Sequence, residues 1–242
     1  MSISPEIRTE ETIEASPPPR SRRGDWTWEL VTSFPQQGRW TEEAYLSREF
    51  DGLVEYSDGV LEFLPMPTWM HQLIVDFQHS HLKLFVRSKS LGLTAFAPLR
   101  VRIRERQYRE PDVLFVTPGR FRGFDQPCEG ADLVMEVLSG SKDDRERDLI
   151  AKRADYAAAE IPEYWIVDPV AETITVLSNL VEVNRSSGQS VPTGSNPVQA
   201  VADERHQDYL DETVFRSGDR AKSVLLNEFE IDVAAAFAAA KP

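Results

Sequence analysis

Residues 132–169, DLVMEVLSGSKDDRERDLIAKRADYAAAEIPEYWIVDP, decide the fold of this chain. The stretch opens with a short apolar run that predicts a buried strand, and a second such run follows at 163–169. Between them, residues 143–160 have a strongly charged face and stop near Pro162, which is typical of a surface helix. The stretch therefore predicts a strand, a helix and a further strand.

Two acidic residues lie inside strand-like apolar runs: Asp112 in EPDVLFV and Glu136 in ADLVMEVLS. A carboxylate in a low-dielectric interior costs several kcal/mol unless it is protonated, ion-paired or bound to a cation. Mg2+ and Mn2+ prefer hard oxygen ligands, so one shared metal ion would account for both acids. The backbone carbonyl of Val137 would supply a further ligand.

The rest of the chain divides into a tail and one domain. Residues 1–24 are rich in Pro, Ser and charge and predict a disordered tail, which leaves a single domain at 25–242. Upstream of the acids, the sequence predicts a helix from Thr41, a hairpin turn at Asp58-Gly59, a helix from Thr68 to about Ser90, strands within 93–116 and a loop at 117–130. Downstream, it predicts a strand at 173–178, a polar insertion at 182–208, weak strands at 212–215 and 223–225, and an alanine-rich helix from about Asp232.

Composition excludes several function classes. A net charge of -13 argues against tight, indiscriminate binding to a polyanion. The single cysteine, Cys128, excludes an internal disulfide framework and a cysteine-based zinc site. The sequence has neither a secretory apolar segment nor a membrane span, so we expect a cytoplasmic protein without a membrane partner or an organic cofactor.

A basic segment, LRVRIRERQYR, is the exception to the acidic composition. In a strand, its alternating arginines would lie on one face. Two interpretations stay open for that face: a solvated outer surface, or a stripe that contacts the phosphates of a nucleic acid. The arginines are Arg100, Arg102, Arg104 and Arg106.

The blocks PDVLFV, DLVMEVLS and RDLIAKRADYAAAEIPEYWIVDP together resemble a large bacterial family of predicted restriction endonucleases within the PD-(D/E)XK superfamily. The upstream stretch LVEYSDGVLEFLPMPTWMHQLIV fits the same pattern. The resemblance covers residues 40–178 well and 207–240 loosely. It implies an α+β fold with a restriction endonuclease-like mixed sheet flanked by helices, an extra N-terminal hairpin and C-terminal strands.

Carried over to this chain, the resemblance implies that Asp112 and Glu136 bind the metal and that Glu55 is an accessory acid. The superfamily's lysine often lies two residues after the second acid, where this chain has Leu138. Lys152, on the following helix, would be the displaced lysine. From spacing alone, Lys152 would instead pair with Asp148 on a solvated face.

Two further positions compare with the family pattern. Glu160 stands where the family usually has glycine, at a helix end that often needs positive φ. His71 matches a position that is often histidine, and either a structural or an accessory catalytic role is open to it.

The predicted function is a Mg2+- or Mn2+-dependent endonuclease acting on DNA, and a homodimer would allow it to cut both strands. A second hypothesis keeps the fold without turnover, as a module that binds nucleic acid or protein. RNA as the substrate is not distinguished from DNA by the sequence.

Overall fold

The computed structural model describes residues 34–138, 147–184 and 205–241. The helices are α1 (Glu42–Leu46), α2 (Trp69–Ser88), α3 (Lys152–Ala158), which follows a π-helical segment (Arg147–Ala151), and α4 (Val233–Ala238). The strands are β1 (Val54–Ser57), β2 (Val60–Phe63), β3 (Leu93–Phe96), β4 (Val101–Arg104), β5 (Gln107–Arg109), β6 (Val113–Val116), β7 (Cys128–Glu129), β8 (Leu133–Val137), β9 (Glu163–Asp168), β10 (Thr173–Asn184), β11 (Arg205–Arg216), β12 (Arg220–Lys222) and β13 (Glu230–Asp232).

A six-stranded mixed sheet with the order β11-β10-β9-β8-β6-β3 forms the centre of the fold. Strands β8 and β9 are parallel, whereas the other neighbouring pairs are antiparallel. Parallel neighbours need a crossover connection, and α3 lies in the segment that joins β8 to β9. The predicted strand, helix and strand are therefore confirmed, and they lie at the middle of the sheet.

Alternation along the central strands assigns each side chain to one of two cores. Val113, Met135 and Val167 belong to the core on the side of α2 and α4. Leu114, Val134 and Ile166 belong to the core that contains Tyr156 of α3. Any residue that shares the parity of the second group faces α3, and this rule places the two acids considered below.

A second sheet, ordered β2-β1-β5-β4-β7, supplies the opposite wall. Its own core is mostly aromatic, and Tyr45 stacks on Tyr56 at a centroid distance of 5.2 Å. Val101 and Ile103 of β4 pack into the same core as Tyr156. The two sheets thus meet at α3, and polar groups from both reach the space beside it.

The predicted elements are largely confirmed. Thr41, Thr68 and Asp232 cap α1, α2 and α4 through their side chains. The hairpin turns at Asp58-Gly59, where both residues have positive φ. Glu160 has a φ of +54°, so the helix end adopts the left-handed conformation that the sequence pattern indicated, without glycine.

Several boundaries differ from the prediction. Residues 128–129, predicted as loop, form β7, because they pair with β4. β10 runs to Asn184 and β11 starts at Arg205, so both ends of the predicted 182–208 insertion are paired strand, and its middle lies outside the described residues. The weak strand predicted at 212–215 is part of the long β11. Residues 223–225 are not a strand but a connection between β12 and β13.

The predicted tail at 1–24 and the first part of the 143–160 helix also lie outside the described residues. Within the described part of the chain, no helix is long and apolar enough to cross a membrane.

Candidate active site

Asp112 and Glu136 face each other across neighbouring strands. Val113 of β6 pairs with Met135 of β8, so one step further along this register sets Asp112 opposite Glu136. Both acids share the parity of the side chains that face α3. The Asp112 carboxylate accepts a hydrogen bond from the backbone N–H of Val137 at 2.8 Å. The two buried carboxylates therefore lie on one face of the sheet, as the shared-metal hypothesis requires.

Lys152 begins α3 and points at this face. Its Nζ lies 2.9 Å from Oε1 of Glu136 and 3.9 Å from Oε1 of Glu55. The side chain is only 3% exposed, so it does not lie on a solvated face of the helix. The side chain of Asp148, its alternative partner, lies outside the part of the chain that can be described.

Tyr156 is a site residue that the sequence analysis did not identify. It lies four residues after Lys152, on the same face of α3, and its hydroxyl donates a hydrogen bond to Oε1 of Glu136. Burial and the charge of Glu136 raise the pKa of Tyr156 well above its usual value, so the hydroxyl remains a donor. The sequence signal was the four-residue spacing from Lys152, which puts both side chains at one strand end.

Glu55 of β1 joins the cluster from the second sheet. Arg109 of β5 donates a hydrogen bond to its carboxylate, and the backbone N–H of Glu110 donates another at 3.2 Å. Burial alone would raise the pKa of Glu55, but the charges of Lys152 and Arg109 outweigh it and hold the pKa below the usual value. Glu55 is therefore an ionised acid inside the protein.

Arg109, which the sequence analysis also missed, links three elements. Besides Glu55, its guanidinium donates hydrogen bonds to the carboxylate of Asp155 on α3, one of them from Nε at 3.0 Å. Its Nη1 lies 3.7 Å from the carboxylate of Glu62 on β2. Arg109 thus holds α3, and with it Lys152, against the second sheet.

His71, near the start of α2, approaches the site from the other side. Its Nε2 lies 3.2 Å from Oδ2 of Asp112. Among the described residues, its buried Nδ1 has no hydrogen-bond partner. Burial lowers the pKa of His71, but the hydrogen bond and charge of Asp112, with the charge of Glu136, raise it above its usual value. The ring is therefore suited to carry a proton beside the aspartate.

A cleft of about 1200 Å³ opens beside Asp112 and His71, and Glu110 also lines it. The Glu110 carboxylate accepts a hydrogen bond from the backbone N–H of Val54 at 3.0 Å and lies 3.8 Å from Nε of Arg100. Burial raises the pKa of Glu110 to about 7. The sequence did not indicate Glu110 as a site residue, because its environment is built by residues distant in the chain.

The predicted arginine stripe does not form one continuous face. Arg104 ends β4, and Arg106 lies in the following turn with a φ of +60°, which breaks the alternation. Arg100 donates hydrogen bonds to the carbonyls of Leu46 and Arg48 at 3.2 and 2.8 Å.

The other three arginines have acidic neighbours. Arg104 pairs with Asp58 at 2.6 Å, and Nε of Arg106 lies 3.8 Å from the same carboxylate. Arg102 lies between Glu42 and Glu129, at 3.5 and 3.6 Å. The geometry therefore brings together Asp112, Glu136, Lys152, Glu55 and His71. Arg102, Arg104 and Arg106 form a separate, acid-paired surface, whereas Arg100 lines the cleft beside Glu110.

The donor set beside the cleft is small. No group of three or more His, Cys, Asp or Glu side chains among the described residues is arranged to hold a metal ion. Asp112 and Glu136 nevertheless suit Mg2+, which proteins often bind through one or two carboxylates together with water and substrate phosphate. The two carboxylates thus have donor chemistry that suits a magnesium ion.

Comparisons with known proteins concern the family and the fold of the chain. A family model named Uma2 and described as "Putative restriction endonuclease" matches residues 40–204. Among solved structures, the chain is similar to one described as "a putative nuclease belonging to DUF820 from Anabaena variabilis ATCC 29413". The two share 16% sequence identity and a TM-score of 0.59, over 83% of this chain and 99% of the other, which shows a common fold. No curated protein matches the chain.

Proposed function

The chain belongs to the Uma2 family of "Putative restriction endonuclease" proteins, and from this premise we propose that it is a metal-dependent endonuclease that hydrolyses phosphodiester bonds in DNA. Membership supports a nuclease. We propose three further points beyond what membership supports: the metal ion, DNA as the substrate and the roles of single residues. The observation that carries the proposal is the convergence of Asp112, Glu136 and Lys152 on one sheet face.

Asp112 and Glu136 would hold Mg2+ or Mn2+, with the carbonyl of Val137 as a further ligand. When bound, the ion would acidify the attacking water and polarise the phosphate. The chain's own groups prepare this step. His71 fixes one oxygen of Asp112, and Tyr156 fixes one oxygen of Glu136, so both carboxylates are oriented before substrate arrives.

Lys152 would stabilise the negative charge that develops on the phosphate as the water attacks. Its ammonium is 2.9 Å from Glu136, at the strand end where the phosphate would lie. Glu55 is ionised and 3.9 Å away, which favours the charged form of the lysine. Glu55 would therefore act through Lys152, or hold a metal-bound water, as an accessory acid.

The test is a cleavage assay with Mg2+ or Mn2+ on single-stranded, duplex and branched DNA, with RNA of the same sequence as a further substrate. Asp112→Asn and Glu136→Gln are nearly isosteric and should abolish cleavage. Glu49→Gln removes an exposed acid that also lines the cleft, and it should leave cleavage unchanged. Equal cleavage by all variants would show that the activity is not from this site.

A second candidate, a nuclease fold that binds without turnover, is favoured by one observation. Oε1 of Glu136 already contacts both Lys152 and Tyr156, so an ion must compete with these groups. Calorimetry with Mn2+ on the wild type and Asp112→Ala separates the candidates. Binding that depends on Asp112, without cleavage of any substrate, would support the binding module. Sedimentation of the same samples would test the homodimer.

A further inference from the structure

A patch of large apolar side chains lies exposed beside the cleft. It runs from the end of β2 to the first turn of α2, and we call Phe63, Met66, Trp69 and Met70 the rim patch. Trp69 is 85% exposed, Met66 79% and Phe63 67%. A tryptophan is usually well buried, so several exposed apolar side chains this close together in the chain indicate an interaction surface.

The rim patch is continuous with the candidate active site. Met66 itself lines the cleft, and Phe63 makes an edge contact with Phe50, a further lining residue, at 6.3 Å. Trp69 lies one helical turn before Gln72, which also lines the cleft. His71, two residues after Trp69, contacts Asp112. A molecule that reaches Asp112 from this side therefore passes the exposed aromatic rings.

Charge in the cleft opposes ordinary recognition of a DNA backbone. Six acids line the cleft but only two arginines, Arg48 and Arg100. Arg100 is already engaged with backbone carbonyls, and Arg48 lies over the ring of Phe34 at 4.7 Å. Nucleic-acid affinity normally comes from Lys and Arg contacts to phosphate. The acids are Glu42, Glu43, Glu49, Glu110, Asp112 and Asp125.

The stacking contact between a base and an aromatic ring does not itself depend on positive charge, and it accepts every base because every base has a π-face. Base faces are available in single strands, flaps and frayed ends, whereas a continuous duplex exposes them only at its termini. Building on the proposed nuclease function, we propose that the rim patch stacks unpaired bases of the substrate. Trp69 and Phe63 supply the rings, and Met66 supplies an adaptable apolar contact between them and the cleft. The preferred substrate is therefore nucleic acid with unpaired bases.

The experiment measures binding of a labelled single-stranded oligonucleotide, and of the blunt duplex of the same sequence, by fluorescence anisotropy. Ca2+ replaces Mg2+, and DNA length is checked afterwards to exclude cleavage. We expect the wild type to prefer the single strand, and Trp69→Ala to weaken that binding by about 10-fold or more. Trp69→Phe should retain most of it, because a ring remains.

Leu84→Ala is the matched control. Leu84 is 72% exposed and lies on the same helix, but it does not line the cleft, so single-strand binding should not change. Equal binding by the wild type and Trp69→Ala, or tighter binding to the duplex, would overturn the inference. So would a Trp69→Ala variant that turns a dimer into a monomer in sedimentation while binding DNA normally, because a second copy would then occupy the patch.

Failure of the stacking inference can be distinguished from failure of the proposed nuclease function. Cleavage that depends on Asp112 and Glu136, together with binding that ignores Trp69, overturns only the stacking inference. Binding that depends on Trp69 without any cleavage overturns the nuclease and supports stacking. A wild type that binds neither form of DNA overturns the stacking inference directly.

Discussion

Two networks of ion pairs, one internal and one at an edge of the second sheet, use the same residue types in different surroundings. The internal cluster is Glu55, Arg109, Lys152, Glu136 and Asp155, and the first four have side chains that are at most 9% exposed. The edge cluster is Arg102, Arg104 and Arg106 with their acidic neighbours, and these arginines are 33–50% exposed.

Burial, and not the number of pairs, separates the two networks in energy. An exposed pair contributes only about 0–1 kcal/mol, because water screens it and two side chains lose freedom. Removing one partner of a buried pair costs about 3–5 kcal/mol, because a charge stays behind without compensation. The basic segment that the sequence suggests for phosphate contacts therefore contributes less to stability. Residues that lie far apart in the chain form the network that contributes more.

The largest expected effect comes from Lys152→Met. It leaves the buried carboxylates of Glu136 and Glu55 without the nearby ammonium, so we expect a loss of about 3–5 kcal/mol in the free energy of unfolding. Urea denaturation measures it. The control is Arg153→Met on the same helix, whose partners Asp208 and Glu212 are partly exposed, and which should lose about 1 kcal/mol or less.

A second variant checks the cause of that loss. Lys152→Met combined with Glu136→Gln removes both charges of the shortest pair and should recover part of the stability. Equal losses for Lys152→Met and Arg153→Met would mean that the internal cluster is as well solvated as the surface.

Arg109→Leu should have the next largest effect, roughly 2 kcal/mol of unfolding free energy. The loss is smaller than for Lys152, because Asp155 is 21% exposed and can be hydrated, and Glu55 keeps Lys152 as a neighbour. Arg109→Lys keeps the charge but not the geometry that reaches Glu55 and Asp155 together, so it should fall between wild type and Arg109→Leu. Thermal unfolding of the three proteins gives the order, and a lysine variant as unstable as the leucine variant would contradict it.

Local sequence signals predicted much of the fold. Capping threonines, the Asp-Gly turn and the runs around Asp112 and Glu136 each act within a few residues, and the structure follows them. The lengths of β10 and β11 were not predictable in this way. Their polar residues resemble a loop, but each strand satisfies the backbone of the other through pairs such as Val183 with His206.

The same distinction between local and long-range signals applies to the candidate site. The positions of Asp112 and Glu136 on neighbouring strands followed from the strand pattern. Lys152 was expected at the site only through the family resemblance, because its spacing favoured a pair with Asp148 on a solvated face. Arg109 and Tyr156 could not be assigned, because their partners are chosen by packing: Arg109 meets Glu55 across 54 residues of chain. The prediction of one continuous arginine face was wrong at Arg106. This non-glycine residue adopts a left-handed backbone conformation, which the alternation of residue types does not reveal.

Arg104→Ala tests the edge cluster and should have a small effect. Its partner Asp58 is more than half exposed, so the midpoint of thermal unfolding should shift by no more than about 2 °C. The same variant tests the phosphate hypothesis through the salt dependence of DNA binding. Because Arg104 is already paired, we expect the slope of log K against log salt to stay unchanged. A decrease of about one in the number of released ions would instead assign Arg104 to a phosphate contact.

The smallest effect concerns His79 of α2, a buried side chain outside both networks. Its ring lies 4.7 Å from that of Phe96, and its Nε2 is 3.4 Å from Oγ1 of Thr94. Burial, with a contribution from the charge of Lys83, lowers the pKa of His79, although Asp76 opposes the change. At His79, little opposite charge compensates for the effect of burial on the pKa. In the internal cluster, by contrast, opposite charges compensate for it.

The pKa of His79 is lower in the folded than in the unfolded protein, so the unfolded chain takes up a proton first as the pH falls through about 6.5. The stability present above that pH is therefore lost on acidification. His79→Gln does not titrate and should lose less stability than wild type between about pH 7.5 and pH 5.5. Urea midpoints across this range measure the difference, with the exposed His81→Gln on the same helix as the control. Equal losses of stability in wild type and His79→Gln would contradict the prediction. They would mean that solvent reaches His79 as freely as it reaches the side chains of the edge cluster.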